Sequence, residues 1–519
     1  MRIQTHTQVD GLTSGISVSA FAQAIAEAAA QNEEIAAYYR STGFQPIWTD
    51  NDEASTARRS ALFRAMKRAP DHGLPDYDTA AVMRQLEGVA SLRDLGRLEV
   101  AMSQLFVAYA QDINSGVLTP SKVDSGIVRK VPRKSGTTLL TALADADPHH
   151  YFKTLPPKAP EYARLMKEKL KLEGLMANGG WGPTVPAKSL KPGQSGAAVV
   201  ALRNRLIRMG YLNRSASQSY DAAIQTAVQL FQQDHGLTAD GVAGASTMAQ
   251  INQSLQNRLG SIVVAMERER WTNIDRGDRH VWVNLTDFSA ELVDHGRVTF
   301  ATRSVIGKNQ HDLRSPEFSD VMEFMVVNPT WNVPRSIATK EYLPMLKRNP
   351  NAVSHLKLID SRGRVVNRSR VNFKAFSAKS FPFAIKQPPS KRNALGLVKF
   401  MFPNKYNIYL HDTPSKSLFG REVRAFSHGC IRLSDPFDFA YELLSKQTAD
   451  PEGKFHSVLN TGRETRIDLD QPVPVHLVYR TAIAPVKGRV NYRRDIYGRD
   501  AKLWQALQNA GVALRGAEG

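Results

Sequence analysis

The run Ser427-His428-Gly429-Cys430-Ile431-Arg432 holds the only cysteine of a 519-residue chain. Sixteen positions before Ser427 stands His411, in the run Tyr-Leu-His-Asp-Thr-Pro. A thiol attacks as its thiolate, so it needs a base or a positive environment. His411 can be that base if its strand lies beside the loop carrying Cys430. Gly429 leaves room beside the sulfur, and its N–H, with that of Cys430, can point at a developing oxyanion. His428 is too close in sequence to fold back easily onto the sulfur, which favours substrate contact or structure over base catalysis. Arg432 can bind a carboxylate bidentately, and a salt bridge is the plainer explanation of it. A buried structural cysteine is the competing account of Cys430.

The chain is long enough for two to four domains. Its 42% apolar content suffices for packed cores. With 68 basic and 49 acidic side chains the net charge is +19, which points to an anionic partner. No zinc-finger spacing or Lys/Arg arm supports nucleic acid as that partner, so an acidic polymer stays in contention. One cysteine permits no internal disulfide. His149 and His150 are adjacent and cannot share a helix face, so no metal site is expected. No cofactor is called for.

No run of about 18 apolar residues occurs, so no membrane span is expected. Met1–Ser19 lacks the apolar stretch of an export signal. Val18–Ala30, broken by Gln23 and Glu27, reads as an amphipathic helix.

The elements that must position the thiol fall in sequence blocks. Residues 20–180 read as a helical scaffold, as in Leu92–Gln111, where Leu98, Ala101, Met102 and Leu105 share a face. Gln45–Trp48 reads as an aromatic segment whose tryptophan belongs to a core. Pro160–Met176 is another amphipathic helix. A Gly/Pro-rich linker follows at 179–193. Residues 186–255 form a compact three-helix unit: Val199, Leu202 and Leu206 make one stripe, Asp221 caps a second helix bearing Ile224, Val228 and Phe231, and Ala245–Asn252 is the third. From about Ser261 the period becomes two, in His280–Asn284, Val298–Val305 and Met322–Asn328. A β-rich domain is therefore expected over 260–480, with 481–519 as an extension packed on it. Within it, residues 335–392 carry fourteen basic and two acidic side chains. This insertion is either a solvated loop or a lid that guides an anionic substrate.

Two resemblances follow from these motifs. Residues 188–255, through Gly193, Val200, Leu202, Leu206, Gly210, Tyr211, Phe231, Gly236, Leu237, Asp240, Gly241, Gly244 and Thr247, resemble the peptidoglycan-binding module of cell-wall enzymes. His411, Ser427, His428, Gly429, Cys430 and Arg432 resemble the active-site signature of the L,D-transpeptidases. The runs Val327–Pro334, Asn393–Gly396 and Tyr497–Asp500 extend that likeness over most of 260–510, and the whole chain is similar to large multi-domain Gram-negative members.

The resemblance implies an α+β multi-domain protein with a β-sandwich-like catalytic domain, a lid insertion, a helical scaffold and a three-helix binding module. It implies a cysteine acyltransferase. Cys430 is the nucleophile, His411 the general base and acid, and Gly429 part of an oxyanion hole. Ser427, His428, Arg432, Trp331 and Asn393 would contact substrate. The donor would be a peptidoglycan tetrapeptide stem that loses D-alanine to form a thioester. A diamino-acid amine of a neighbouring stem would then resolve it to a 3-3 cross-link. His411 would be oriented by a backbone carbonyl, that of Asp412 being the nearest. Carbapenems would acylate the thiol. The family is periplasmic and often associated with the inner membrane, which requires an export segment that the sequence does not display. Alternatives are an L,D-carboxypeptidase, in which water resolves the thioester, and a non-catalytic wall-binding scaffold. A serine penicillin-binding enzyme is disfavoured: Ser354-His355-Leu356-Lys357 and Lys134-Ser135-Gly136 stand in the wrong order for its motifs.

Overall fold

The computed structural model describes residues 19–515. The chain forms two compact units, one built from the chain up to Asp275 and again from Arg480 onward, the other from Arg276–Tyr479. Expectations about residues 1–18 lie outside the described residues.

In the first unit, local capping sets the helix starts. Ser19, Asn32, Asp52 and Ser91 each accept the N–H three residues on and open helices Ala20–Ala29, Glu33–Ser41, Glu53–Lys67 and Leu92–Ser115. Their apolar faces share a core in which Trp48 is fully buried, its indole N–H donating to Ser103 Oγ at 2.9 Å. The buried Glu99 carboxylate accepts from Tyr39 OH at 2.7 Å and from the N–H groups of Ile47 at 2.8 Å and Thr49 at 2.9 Å. The segment around Trp48 is thus fixed from within the core, as buried polar groups require. Further along, helices Ala197–Arg208, Ala222–Asp234 and Ala245–Ile251 surround Leu202, Leu206, Ile224, Val228 and Phe231.

Two sequence-based boundaries need correction here. The β-rich domain does not begin at residue 260: Leu255–Trp271 is a helix, and the first strand starts at Arg279. The helix shows no amphipathic stripe because it is buried nearly all round, including Glu267, Arg268, Glu269 and Arg270. Its charges are paired: Arg270 with Glu267 at 2.8 Å, Arg268 with Asp500 at 2.8 Å, and Glu269 with Arg480. Buried charges demand such partners. The second correction concerns 481–519, whose described part packs within the helical unit. Leu503 and Leu507 are fully buried with Ile127, Val263, Val264 and Trp271, and Lys502 pairs with Asp124 at 2.7 Å. Burying each leucine is worth about 1.5–3 kcal/mol, which fixes the returning chain there.

The second unit is a β domain. Its strands are β1 (Arg279–Asn284), β2 (Ser289–Asp294), β3 (Arg297–Gly307), β4 (Phe318–Val327), β5 (Trp331–Asn332) and β6 (Lys357–Ile359). They continue with β7 (Ala384–Gln387), β8 (Val398–Met401), β9 (Leu410–His411), β10 (Ala425–Ser427), β11 (Ile431–Leu433) and β12 (Thr465–Val478). The main sheet runs β10-β3-β11-β9-β8-β4-β12-β1-β2, with β2 also paired to β3. The expected sandwich is therefore a closed ring. The long strand β3 makes the closure, pairing with β2 through 297–303 and with β11 at Ser304 and Val305.

The basic insertion is a folded subdomain with its own core. Strands β5, β7 and β6 form a separate sheet, and Leu346, Leu356, Leu358, Phe373, Phe381 and Ile385 pack together. A solvated loop would bury none of these. Its helical stretch from Arg335 to Arg348 leads into the first turn of that core.

Candidate active site

Three strands bring the chemistry together. β9 and β11 are parallel, with Leu410 opposite Ile431 and His411 opposite Arg432. β8 is antiparallel to β9, with Lys399 opposite His411. Cross-strand partners share a face, so Lys399, His411 and Arg432 form one row. Tyr409 and Cys430 stand immediately before β9 and β11, each two residues ahead of a member of that row, and the Tyr409 and His411 ring centroids lie 5.6 Å apart. The Ile431 N–H donates to the Tyr409 carbonyl at 3.1 Å and locks the register at the thiol.

The turn before Cys430 is held from both sides. Gly429 adopts φ +112°, a conformation that favours glycine. Its carbonyl accepts from Ser315 Oγ at 2.6 Å, and Ser315 Oγ in turn accepts from the Gly307 N–H at 3.0 Å. Ser427 Oγ accepts from the Gly429 N–H at 3.1 Å and donates to the Cys430 carbonyl. This corrects two expectations: Ser427 is committed to the turn, and the Gly429 N–H is already engaged. Of the two donors expected at the oxyanion, the N–H of Cys430 is the one left. The half-buried thiol donates to the Asn407 carbonyl at 3.4 Å. That carbonyl is presented by a loop in which Asn404 Oδ1 accepts from Tyr406 and Ile408 N–H groups at 3.0 and 3.2 Å.

His411 is buried, and its Nδ1–H donates to the Asp412 carbonyl. The proton is thereby held on Nδ1 and Nε2 is left as the basic nitrogen. Burial and then the Arg432 charge push the imidazole down to about 3. Burial pushes the Cys430 thiol up to about 11, against hydrogen bonds from Tyr409 and the charges of Arg432 and Lys399. The resting site is a neutral thiol and a neutral imidazole. Asp412 is itself fixed, its carboxylate accepting from the N–H groups of Leu397 at 2.9 Å and Thr413 at 2.7 Å and from Lys416 Nζ at 2.8 Å. Gly396 makes this possible: a Cβ there would lie 2.2 Å from Asp412 Oδ2.

The Arg432 Nε is buried with no hydrogen-bond acceptor among the described residues. His428 does not face the sulfur as a base. Its Nε2 is bonded to Glu341 Oε1 of the insertion at 2.7 Å. Lys340 pairs with Asp312 at 2.7 Å, a second link from the insertion to a catalytic-domain loop.

Two further residues expected to contact substrate lie at the insertion. Asn393 is fully buried, its amide donating to the carbonyls of Pro329 at 3.1 Å and Pro388 at 3.0 Å. It ties the two roots of the insertion together and has no group to offer a ligand. Trp331 packs against the insertion core and lies edge-on to Tyr342 at 6.3 Å. Sequence reasoning missed Tyr409 as a neighbour of the thiol. Its signal was the position two before His411.

Three family models match parts of the chain. Residues 33–168 match a family model described as a scaffold domain. Residues 195–251 match a "Putative peptidoglycan binding domain" and 278–452 an L,D-transpeptidase catalytic domain. A curated Haemophilus influenzae protein named "Putative L,D-transpeptidase" is 30% identical over 242 residues, 46% of this chain and 48% of the relative. The match thus spans about half the length of that relative. Solved L,D-transpeptidases from Xylanimonas cellulosilytica and Stackebrandtia nassauensis are each 15% identical, cover 57% of this chain and 100% and 97% of their own, and give TM-scores of 0.17 and 0.21.

Proposed function

We propose that the protein is a peptidoglycan L,D-transpeptidase that forms 3-3 cross-links through a thioester on Cys430. The observation that carries this reading is the pairing of His411 with Arg432, two residues after Cys430, with the His411 proton held on Nδ1 by the Asp412 carbonyl. The donor is a tetrapeptide stem. Its carboxylate pairs with the Arg432 guanidinium and offsets the positive charge that, after burial, depresses His411. The imidazole becomes a better base as substrate arrives.

His411 Nε2 then takes the thiol proton as Sγ attacks the carbonyl of the third stem residue. The oxyanion accepts from the Cys430 N–H. Collapse breaks the amide bond to terminal D-alanine, and His411 gives its proton to the leaving amine. The side-chain amine of a second stem attacks the thioester, loses its proton to Nε2, and releases a thiolate that recovers that proton. No cofactor enters the balance.

The insertion acts as a lid over the thiol turn, held by Glu341 against His428 and by Lys340 against Asp312. The three-helix module keeps the enzyme on the polymer, and the site of action is the periplasm. The test is to incubate the protein with a tetrapeptide muropeptide and analyse the products. A cross-linked dimer with released D-alanine supports the reading. Shortened tripeptide alone means that water resolves the thioester and the protein is a carboxypeptidase.

A further inference from the structure

Where the three-helix module meets the returning chain at Arg489–Tyr492, a pocket of about 240 Å³ opens, far in sequence from the thiol turn. Its inner wall is aromatic. Phe231 and His235 stack with centroids 3.7 Å apart, and Tyr492 stacks on His235 at 5.6 Å. Tyr211 lies edge-on to Phe231 at 5.2 Å, and Trp181 adds a further ring to the lining. The rim is cationic. The Arg489 guanidinium sits 4.3 Å from the Tyr211 centroid, and the exposed Arg208 ends the first helix of the module. Arg258 is buried against Tyr492 at 4.5 Å.

The acids present cancel only part of this charge. Glu168 pairs with Lys171 at 3.1 Å, and Asp234 stands 3.7 Å from Arg489. Arg208 and Arg258 bond only to neutral oxygens, Gly180 O at 3.2 Å and Gln250 O and Oε1 at 3.0 Å. His235 is 5% exposed, and its Nδ1–H donates to the Phe231 carbonyl at 2.7 Å. Burial and the Arg258 charge hold the ring neutral, so Nε2 remains an acceptor. Rings, guanidinium donors and one buried acceptor therefore line a single cavity.

We propose that this pocket binds a short carboxylate-bearing fragment of the wall polymer: a sugar or amide face lies on Tyr211 and Trp181, the carboxylate meets Arg208 and Arg489, and an N–H or O–H donates to His235. The inference rests on the peptidoglycan reading and assigns the binding module a ligand. Two parts of the polymer carry this chemistry, a sugar bearing a stem peptide and the free end of a stem. Arg–carboxylate pairing supplies the selectivity and ring stacking the area.

The experiment is a calorimetric titration of the full-length Cys430→Ala chain with muramyl dipeptide, a sugar-free stem tetrapeptide and neutral diacetylchitobiose. At least one anionic probe binds, and the neutral disaccharide binds more weakly. Arg208→Glu, an exposed change that leaves the core intact, weakens the anionic probe by about tenfold or more. Arg489→Lys keeps the charge, loses the stack on Tyr211 and weakens it less. Binding of muramyl dipeptide alone assigns the sugar-linked source, and binding of the tetrapeptide alone assigns the stem end. The inference is overturned if no probe binds, if the neutral disaccharide binds as tightly, or if Arg208→Glu leaves affinity unchanged. Acylation of unmutated chain by a carbapenem separates the two readings. Acylation without arginine-dependent binding ends the pocket alone, and arginine-dependent binding without acylation ends the catalytic reading alone.

Discussion

In the closed sheet, Lys399, His411 and Arg432 are held by backbone register; in the basic insertion, Glu341 and Lys340 reach the catalytic loops through exposed side chains. The first region spends buried hydrogen bonds on a single histidine tautomer and a single turn. The second is a small folded body whose core is separate from its contacts with the thiol turn. The first region should therefore be intolerant of backbone change, while the contacts of the insertion, made by exposed charges, should weaken with salt. The two histidines state the same contrast: His411 is buried against a main-chain carbonyl, and His428 is partly exposed against a carboxylate.

The largest effect expected is from Cys430→Ala, which removes the sulfur and abolishes acylation with little change in melting temperature. Measurable cross-linking by this variant sinks the nucleophile assignment. His411→Ala lowers the rate of acylation by about 10²–10⁴-fold, read from the time course of adduct formation. A fall of less than tenfold means that another group takes the proton. Gly396→Ala tests the rigid region through its backbone. The position has φ +62°, and the added carbon would strike the Asp412 carboxylate. The strained φ alone costs about 1–2 kcal/mol. Thermal melts and turnover should fall together, and a variant with normal turnover would show that Asp412 does not set the His411 geometry.

The pH dependence follows from the same burial. His411 titrates lower in the native state, near 3, than its ordinary 6.5. Its neutral form contributes stability that is present above pH 6.5 and is lost as pH falls toward 3. The thiol titrates higher in the native state, near 11, than its ordinary 9.0. Its contribution is present below pH 9.0 and is lost as pH rises toward 11. Acylation by an uncharged reagent should accordingly show no step near 6.5. A step there would mean that His411 is solvated like an ordinary histidine. The smallest effect belongs to the adjustable region. Glu341→Gln keeps the fold and the melting temperature, and it changes KM for muropeptide more than the maximal rate. Equal loss of both would make the contact part of the catalytic machinery.

Much of the site was legible because strand periodicity and motif spacing are local. The period-two stretches lie in β1, β3 and β4, and the His411–Cys430 spacing needs only two short parallel strands. What was not legible depends on distant partners. The alternating Glu267–Arg270 run looks solvated until Asp500 and Arg480 return to meet it. The place of the C-terminal segment follows from those same pairs. Ring closure depends on one strand serving two neighbours. The insertion core uses short elements whose apolar residues follow neither period. The resemblance assigned Asn393 to substrate, and the sequence does not reveal which carbonyls an asparagine among turn residues will tie.

The measurement that bears most directly on the account is intact-protein mass spectrometry after exposure to a carbapenem and then to a tetrapeptide muropeptide. The account predicts a single covalent adduct on the unmutated chain, none on Cys430→Ala, and a cross-linked dimer with released D-alanine from the muropeptide. An unmodified chain that leaves the muropeptide intact would contradict it, because the thiol would then be a buried structural residue and the protein a wall-binding scaffold.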